Sequence, residues 1–165
     1  MKQREIARRY VGRKLGEYYS QPANCVVGRS SGVDNSNLSW LLGEGHWRRV
    51  FKKLYEEREG HWLTPVELFR PHYSRILADF CSFTLNADTS NIEIVELGGG
   101  RGTNANLILS YLQEHKPELY GGLTYTLVDS SPTLHRFQQD ALANGPHGDK
   151  IRFELKDLMD VAEET

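Results

Sequence analysis

The chain has 165 residues, with 25% charged and 39% hydrophobic positions, enough for one globular domain with a real core. A formal net charge of −2 gives no general case for binding nucleic acid or a membrane surface. No apolar run approaches the roughly 18 residues that a bilayer span needs, and the first residues lack the apolar stretch of a secretory signal.

Residues 1–60 carry twelve Lys/Arg against seven Asp/Glu, and residues 61–165 carry eight against fifteen. Residues 1–20 read as a basic helix with a thin apolar face, Ile6, Tyr10 and Tyr18. Its Arg and Lys content suits a mitochondrial presequence, with Glu5 and Glu17 pointing to the alternative, a cytoplasmic protein. Residues 21–37, with Pro22, Gly28, Gly32 and a Ser/Asn cluster, read as a loop. From Leu38 to Arg58 a helical period places Trp47, Val50, Phe51 and Leu54 on one face. Residues 1–60 therefore form a helical N-terminal extension, and residues 61–165 the second unit.

Thr64, Pro65 and Glu67 stand where a helix N-cap, its first residue and its third would, which predicts a capping box. Pro71 then interrupts the pattern. A helix from about His72 to Leu85 carries Tyr73, Ile76, Leu77, Phe80 and Thr84 on one stripe, expected to pack toward the sheet. Residues 86–91 are polar and mark a turn.

Ile92 to Leu97 is a mostly aliphatic strand that holds Glu96, followed by four glycines within five positions: Gly98, Gly99, Gly100 and Gly102. Glycines at a strand-to-helix turn let the backbone fold tightly and let a ligand approach it closely. The helix after Thr103 directs its unpaired N–H groups and its positive dipole end at that turn. Its stripe is Ala105, Ile108, Leu109 and Leu112. A second strand, Leu123 to Val128, ends at Asp129, and Ser131 with Pro132 starts a helix whose inner face reads as Leu134, Phe137 and Ala141. After a loop at 144–148, Ile151, Phe153 and Leu155 alternate with charged residues in a third strand that ends near Asp157.

The order β-α-β-α-β predicts an α/β fold, a partial Rossmann-like parallel sheet flanked by helices behind a helical lead-in. The apolar first strand suits a central position and the alternating third strand an edge. No segment follows to cover the first strand, so the expectation is a domain truncated after its third strand, or one whose N-terminal helices cover that edge.

Glu96, Asp129 and Asp157 fall at the carboxyl ends of successive strands, where open α/β sheets bind ligands. Asp129 can accept both hydroxyls of a ribose, with Ser130 beside it, and Asp157 can accept from an exocyclic amine. A dinucleotide fingerprint would need its third glycine at position 103, where Thr103 stands. The six histidines are scattered, Cys25 and Cys81 are isolated thiols, and neither a metal set nor a Ser-His-Asp set is visible. His72 and Tyr73 are candidates for the substrate side.

The spacing Glu96, Gly98, Gly100, Gly102 resembles the first motif of class I methyltransferases that use S-adenosylmethionine. Together with Leu127 to Leu134 and Gln138, and with Thr64-Pro65 and Glu67, it is similar to the MidA-like family, which is related to the mitochondrial arginine methyltransferase that assists complex I assembly. Two positions differ: Gly99 stands where that family commonly has Pro, and Asp129 where it has Glu. The resemblance implies an S-adenosyl-L-methionine cofactor and a protein substrate, with arginine as acceptor. It also implies that Glu96, Gly98, Gly100 and Gly102 line the methionine end, Asp129 the ribose and Asp157 the adenine, with Gly99, Thr103 and Ser130 among the cofactor-binding residues. The other readings are a non-catalytic assembly or binding module on the same fold and a nicotinamide-dependent oxidoreductase.

Overall fold

The structure is a computed structural model that describes residues 2–21, 42–56, 64–85 and 91–157. The expected loop between 22 and 37, Cys25 and the polar turn at 86–90 lie outside the described residues. Among the described residues ten elements follow in order: α1 (Lys2–Tyr19), α2 (Glu44–Glu56), α3 (Pro65–Leu68), α4 (His72–Thr84), β1 (Ile92–Leu97), α5 (Thr103–His115), α6 (Pro117–Gly121), β2 (Leu123–Asp129), α7 (Pro132–Leu142) and β3 (Ile151–Leu155). The fold is α/β, a three-stranded parallel sheet flanked by helices in a partial Rossmann-like arrangement.

The strands lie in the order β1-β2-β3, in register from Ile92 opposite Leu123 and from Tyr125 opposite Ile151. Among the described residues β2 is therefore the central strand, where the apolar run had suggested β1. Glu93 and Glu96 break the aliphatic run of β1, and Val95 and Leu97 remain about half exposed. Both crossovers step the same way along the sheet, so right-handed connections put α5 and α7 on one face.

That face holds the core. Leu123, Tyr125 and Leu127 of β2 meet Ala105, Ile108, Leu109 and Leu112 of α5, the stripe that the sequence predicts. The N-cap at Ser131 is also as expected, its Oγ accepting from the Leu134 N–H at 3.2 Å.

Two helix faces differ from expectation. α4 packs on α5 through Ser74 and Ala78, both fully buried, while Tyr73, Ile76, Phe80 and Phe83 point to solvent. Small side chains allow two helices to approach closely, so the contact runs along the small-residue line; of the expected stripe Leu77 packs against the core and Tyr73, Ile76 and Phe80 are turned away. On α7 the inward line is Leu134, Gln138 and Leu142, and Ala141 is exposed. A polar side chain occupies that line because it finds partners there.

The capping box at α3 is half formed. Thr64 Oγ1 accepts from the Glu67 N–H at 3.4 Å, but the Glu67 carboxylate turns away toward α5. On α2, Trp47 meets Phe51 at a tilt with centroids 4.9 Å apart and stacks on Phe69 at 6.4 Å, so the aromatic face packs against the segment after α3.

Candidate functional site

The turn between β1 and α5 is shaped by Gly98, Gly100 and Gly102, whose φ angles are 72°, 56° and 76°. These left-handed conformations suit glycine and strain other residues. The glycines differ in their surroundings. A Cβ at Gly98 would meet nothing within 4 Å, whereas one at Gly102 would stand 2.4 Å from Leu142 Cδ1. One at Gly99 would stand equally close to Leu127 Cδ2. The turn is thus packed against the core on one side and open at Gly98. Gly102 caps α5 without any side chain to take up the first helical N–H groups, which leaves them for an anionic partner.

Residues alternate in a strand, so Glu96 and Asp129 face the same side as Tyr125 and Leu127. Glu96 accepts from Asn104 Nδ2 at 2.9 Å and from the Tyr125 hydroxyl at 3.0 Å. Burial pushes its carboxyl above the usual range, and these two bonds pull it back part of the way. Burial, with the neighbouring Glu96 charge, drives the Tyr125 phenol far upward, so it stays a donor. Asp129 Oδ1 accepts from the Ser131 N–H at 2.9 Å and Oδ2 from Gln138 Nε2 at 3.1 Å. Burial raises its pKa as well, against those same bonds.

The same Gln138 nitrogen donates to the Gly100 carbonyl at 3.0 Å, so one side chain joins the glycine turn to the acid of β2. Thr103 Oγ1 donates to Glu67 Oε1 and brings α3 onto the start of α5. Beside this contact lies a cavity of about 380 Å³ whose walls include Glu67, Arg101, Gly102, Thr103 and Phe137. The Arg101 guanidinium lies over the Phe137 ring, 4.2 Å from its centroid. The end of α1 also reaches this region, since Ser131 Oγ donates to the Tyr19 carbonyl at 2.7 Å.

The structure therefore brings together Glu96, the glycines, Thr103 and Asp129. Ser130 follows Asp129 on the surface, and Asp157 is exposed two residues past the end of β3. His72 and Tyr73 start α4; like Glu96, Gly98, Gly99, Gly100, Asp129, Ser130 and Asp157 they do not line the cavity, which among the expected site residues meets Gly102 and Thr103. Asn104, Tyr125 and the side-chain role of Glu67 escaped the sequence reading. The signal for Glu67 was misread, because its place after Thr64-Pro65 satisfies a local cap equally well. Among the described residues no group of three or more His, Cys, Asp or Glu side chains could hold a metal ion, and no helix is long and apolar enough to cross a membrane.

A family model described as S-adenosyl-L-methionine-dependent methyltransferase matches residues 76–165, more than half of the chain. That segment begins in α4 and takes in the glycine turn and every strand of the sheet. No curated protein matches the chain.

Proposed function

The chain belongs to this family of S-adenosyl-L-methionine-dependent methyltransferases, and from that premise we propose that it methylates a protein, with arginine as the acceptor, as the MidA-like resemblance implies. S-adenosyl-L-methionine is the expected cofactor, and the residues present fit it. Gly98 leaves open space above a backbone that only glycine adopts comfortably, and the uncapped start of α5 suits the carboxylate of an amino-acid tail. Asn104 Oδ1 and Gln138 Oε1, on the two helices next to the turn, are buried acceptors without partners inside the protein.

The cofactor supplies a methyl group already activated on a sulfonium, so the protein's task is alignment of acceptor and methyl rather than generation of an electrophile. In this reading Gly98, Gly99, Gly100, Gly102 and Thr103 lie along the tail. Glu96, held by Asn104 and Tyr125, fixes the geometry of the strand end. Asp129 and Ser130 take the ribose, and Asp157 the adenine. Thr103 and Glu67 couple the turn to α3, the wall through which an acceptor side chain would be positioned. The observation that carries the reading is the Gln138 bridge, which ties the glycine turn to the acid at the end of β2. The arginine acceptor is supported by the resemblance at Thr64-Pro65, Glu67, residues 96–103 and residues 127–134. The basic α1 supports a mitochondrial location.

The test is transfer of labelled methyl from S-adenosyl-L-methionine to protein extracts, with acid hydrolysis to identify the modified residue. Methylarginine is the expected product, and label on another residue or on none overturns the acceptor. The exposed line of Tyr73, Ile76, Phe80 and Phe83 on α4 favours a second reading, a binding module without catalysis. That reading expects cofactor binding or partner capture with no label transferred. Quenched fluorescence of reduced nicotinamide on mixing would instead favour the oxidoreductase.

A further inference from the structure

We infer that Gln138 is a positioning residue that sets the spacing between the two ends of the cofactor cleft. The inference rests on the cofactor reading above. Gln138 is fully buried on the inward line of α7, between Leu134 and Leu142. Its single amide nitrogen donates both to Gly100 O and to Asp129 Oδ2. Gly100 lies at the middle of the glycine turn, and Asp129 closes β2. These segments belong to different strands and are otherwise joined at this end by the Gly98 N–H to Val128 carbonyl bond at 2.8 Å. That bond fixes the backbones side by side, and the Gly102 N–H to Gly99 carbonyl bond at 2.8 Å closes the turn on itself, but neither ties the turn to the Asp129 carboxylate. Gln138 makes that tie.

The chemistry requires an amide. A carboxylate at 138 would face Asp129 with like charge, and an apolar side chain would leave two buried acceptors without this donor. A ligand whose tail lies on the turn and whose ribose lies on Asp129 gains from both contacts only if their separation is right, because the second contact is then made at high effective concentration. A ligand that uses the nucleoside end alone meets Asp129, which Gln138 also holds, but does not depend on its separation from the turn.

The test compares S-adenosylhomocysteine with methylthioadenosine, which keeps the nucleoside thioether and lacks the amino-acid tail. Calorimetry on the full chain gives the ratio of the two affinities for wild type, Gln138→Met and Gln138→Glu. Gln138→Met is expected to narrow the ratio tenfold or more, mainly through weaker S-adenosylhomocysteine. Gln138→Glu is expected to do the same at pH 8 and to recover toward pH 6, where a proton shared with Asp129 restores a donor. Equal weakening of both ligands, or an unchanged ratio in both variants, overturns the positioning role. Absence of S-adenosylhomocysteine binding by wild type overturns the cofactor reading beneath it instead.

Discussion

Alanine at Gly98 and at Gly102 separates the two duties of the glycine turn. Both residues have φ above 70°, so either substitution forces an L-residue into the left-handed region at about 1–2 kcal/mol. Gly98→Ala adds no clash, since its Cβ meets nothing within 4 Å. Gly102→Ala adds a contact of 2.4 Å with Leu142 Cδ1. Displacing a packed leucine tip costs about 1–3 kcal/mol more, toward the low end because the tip can rotate. Gly98→Ala should therefore lose about 1–2 kcal/mol and Gly102→Ala about 2–4 kcal/mol in urea unfolding, with unchanged m-values. Leu142→Ala alone costs about 2–5 kcal/mol through its cavity. Combined with Gly102→Ala, it should cost less than the sum by about 1 kcal/mol, because the clash is gone. Ligand binding should follow the opposite order, with Gly98→Ala the more damaging because its methyl fills the open side. Equal stability losses at the two positions, or strict additivity with Leu142→Ala, would refute the packing argument.

Three further outcomes follow from the hydrogen bonds. Thr103→Val removes the donor to Glu67 and should destabilise the chain by about 1.5–3 kcal/mol, with little further loss when Glu67→Gln is added. Tyr125→Phe leaves one buried oxygen of Glu96 short of a donor and should cost about 1–3 kcal/mol at pH 7, less at low pH where Glu96 is protonated. His147 is held as a neutral ring: Ser110 Oγ donates to the Asn106 carbonyl and so accepts from Nε2, while Nδ1 accepts from Tyr120. Burial lowers its pKa below 6.5, so the unfolded chain binds the extra proton first and stability falls as pH drops through 6.5. His147→Gln should flatten that part of the stability profile; an unchanged slope between pH 5 and 7 would contradict the neutral assignment.

Features fixed by neighbours in sequence were readable from it. The stripe Ala105, Ile108, Leu109, Leu112 and the Ser131-Pro132 helix start depend on local period and capping, and the structure has both. The glycine turn was readable because few residues tolerate its φ angles. What depended on distant partners was not. The bulky stripe of α4 resembles a core face, yet α5 selects the small-residue side at Ser74 and Ala78. Gln138 enters the sequence reading only through the family resemblance, and its partners Gly100 and Asp129 are brought to it by the fold. Glu67 satisfies a cap pattern locally, and only the fold reveals Thr103 as its partner. Asp157, read as part of the constellation, stands exposed beyond β3.

The proposed cofactor site is tested most directly by titrating S-adenosylhomocysteine into the wild-type chain and an Asp129→Ala variant. Saturable one-to-one binding by wild type, weakened by about 1–3 kcal/mol in the variant, is the predicted result, because a ligand hydroxyl would lose its buried acceptor. Equal affinity in the two proteins, or no binding by wild type, would contradict the account.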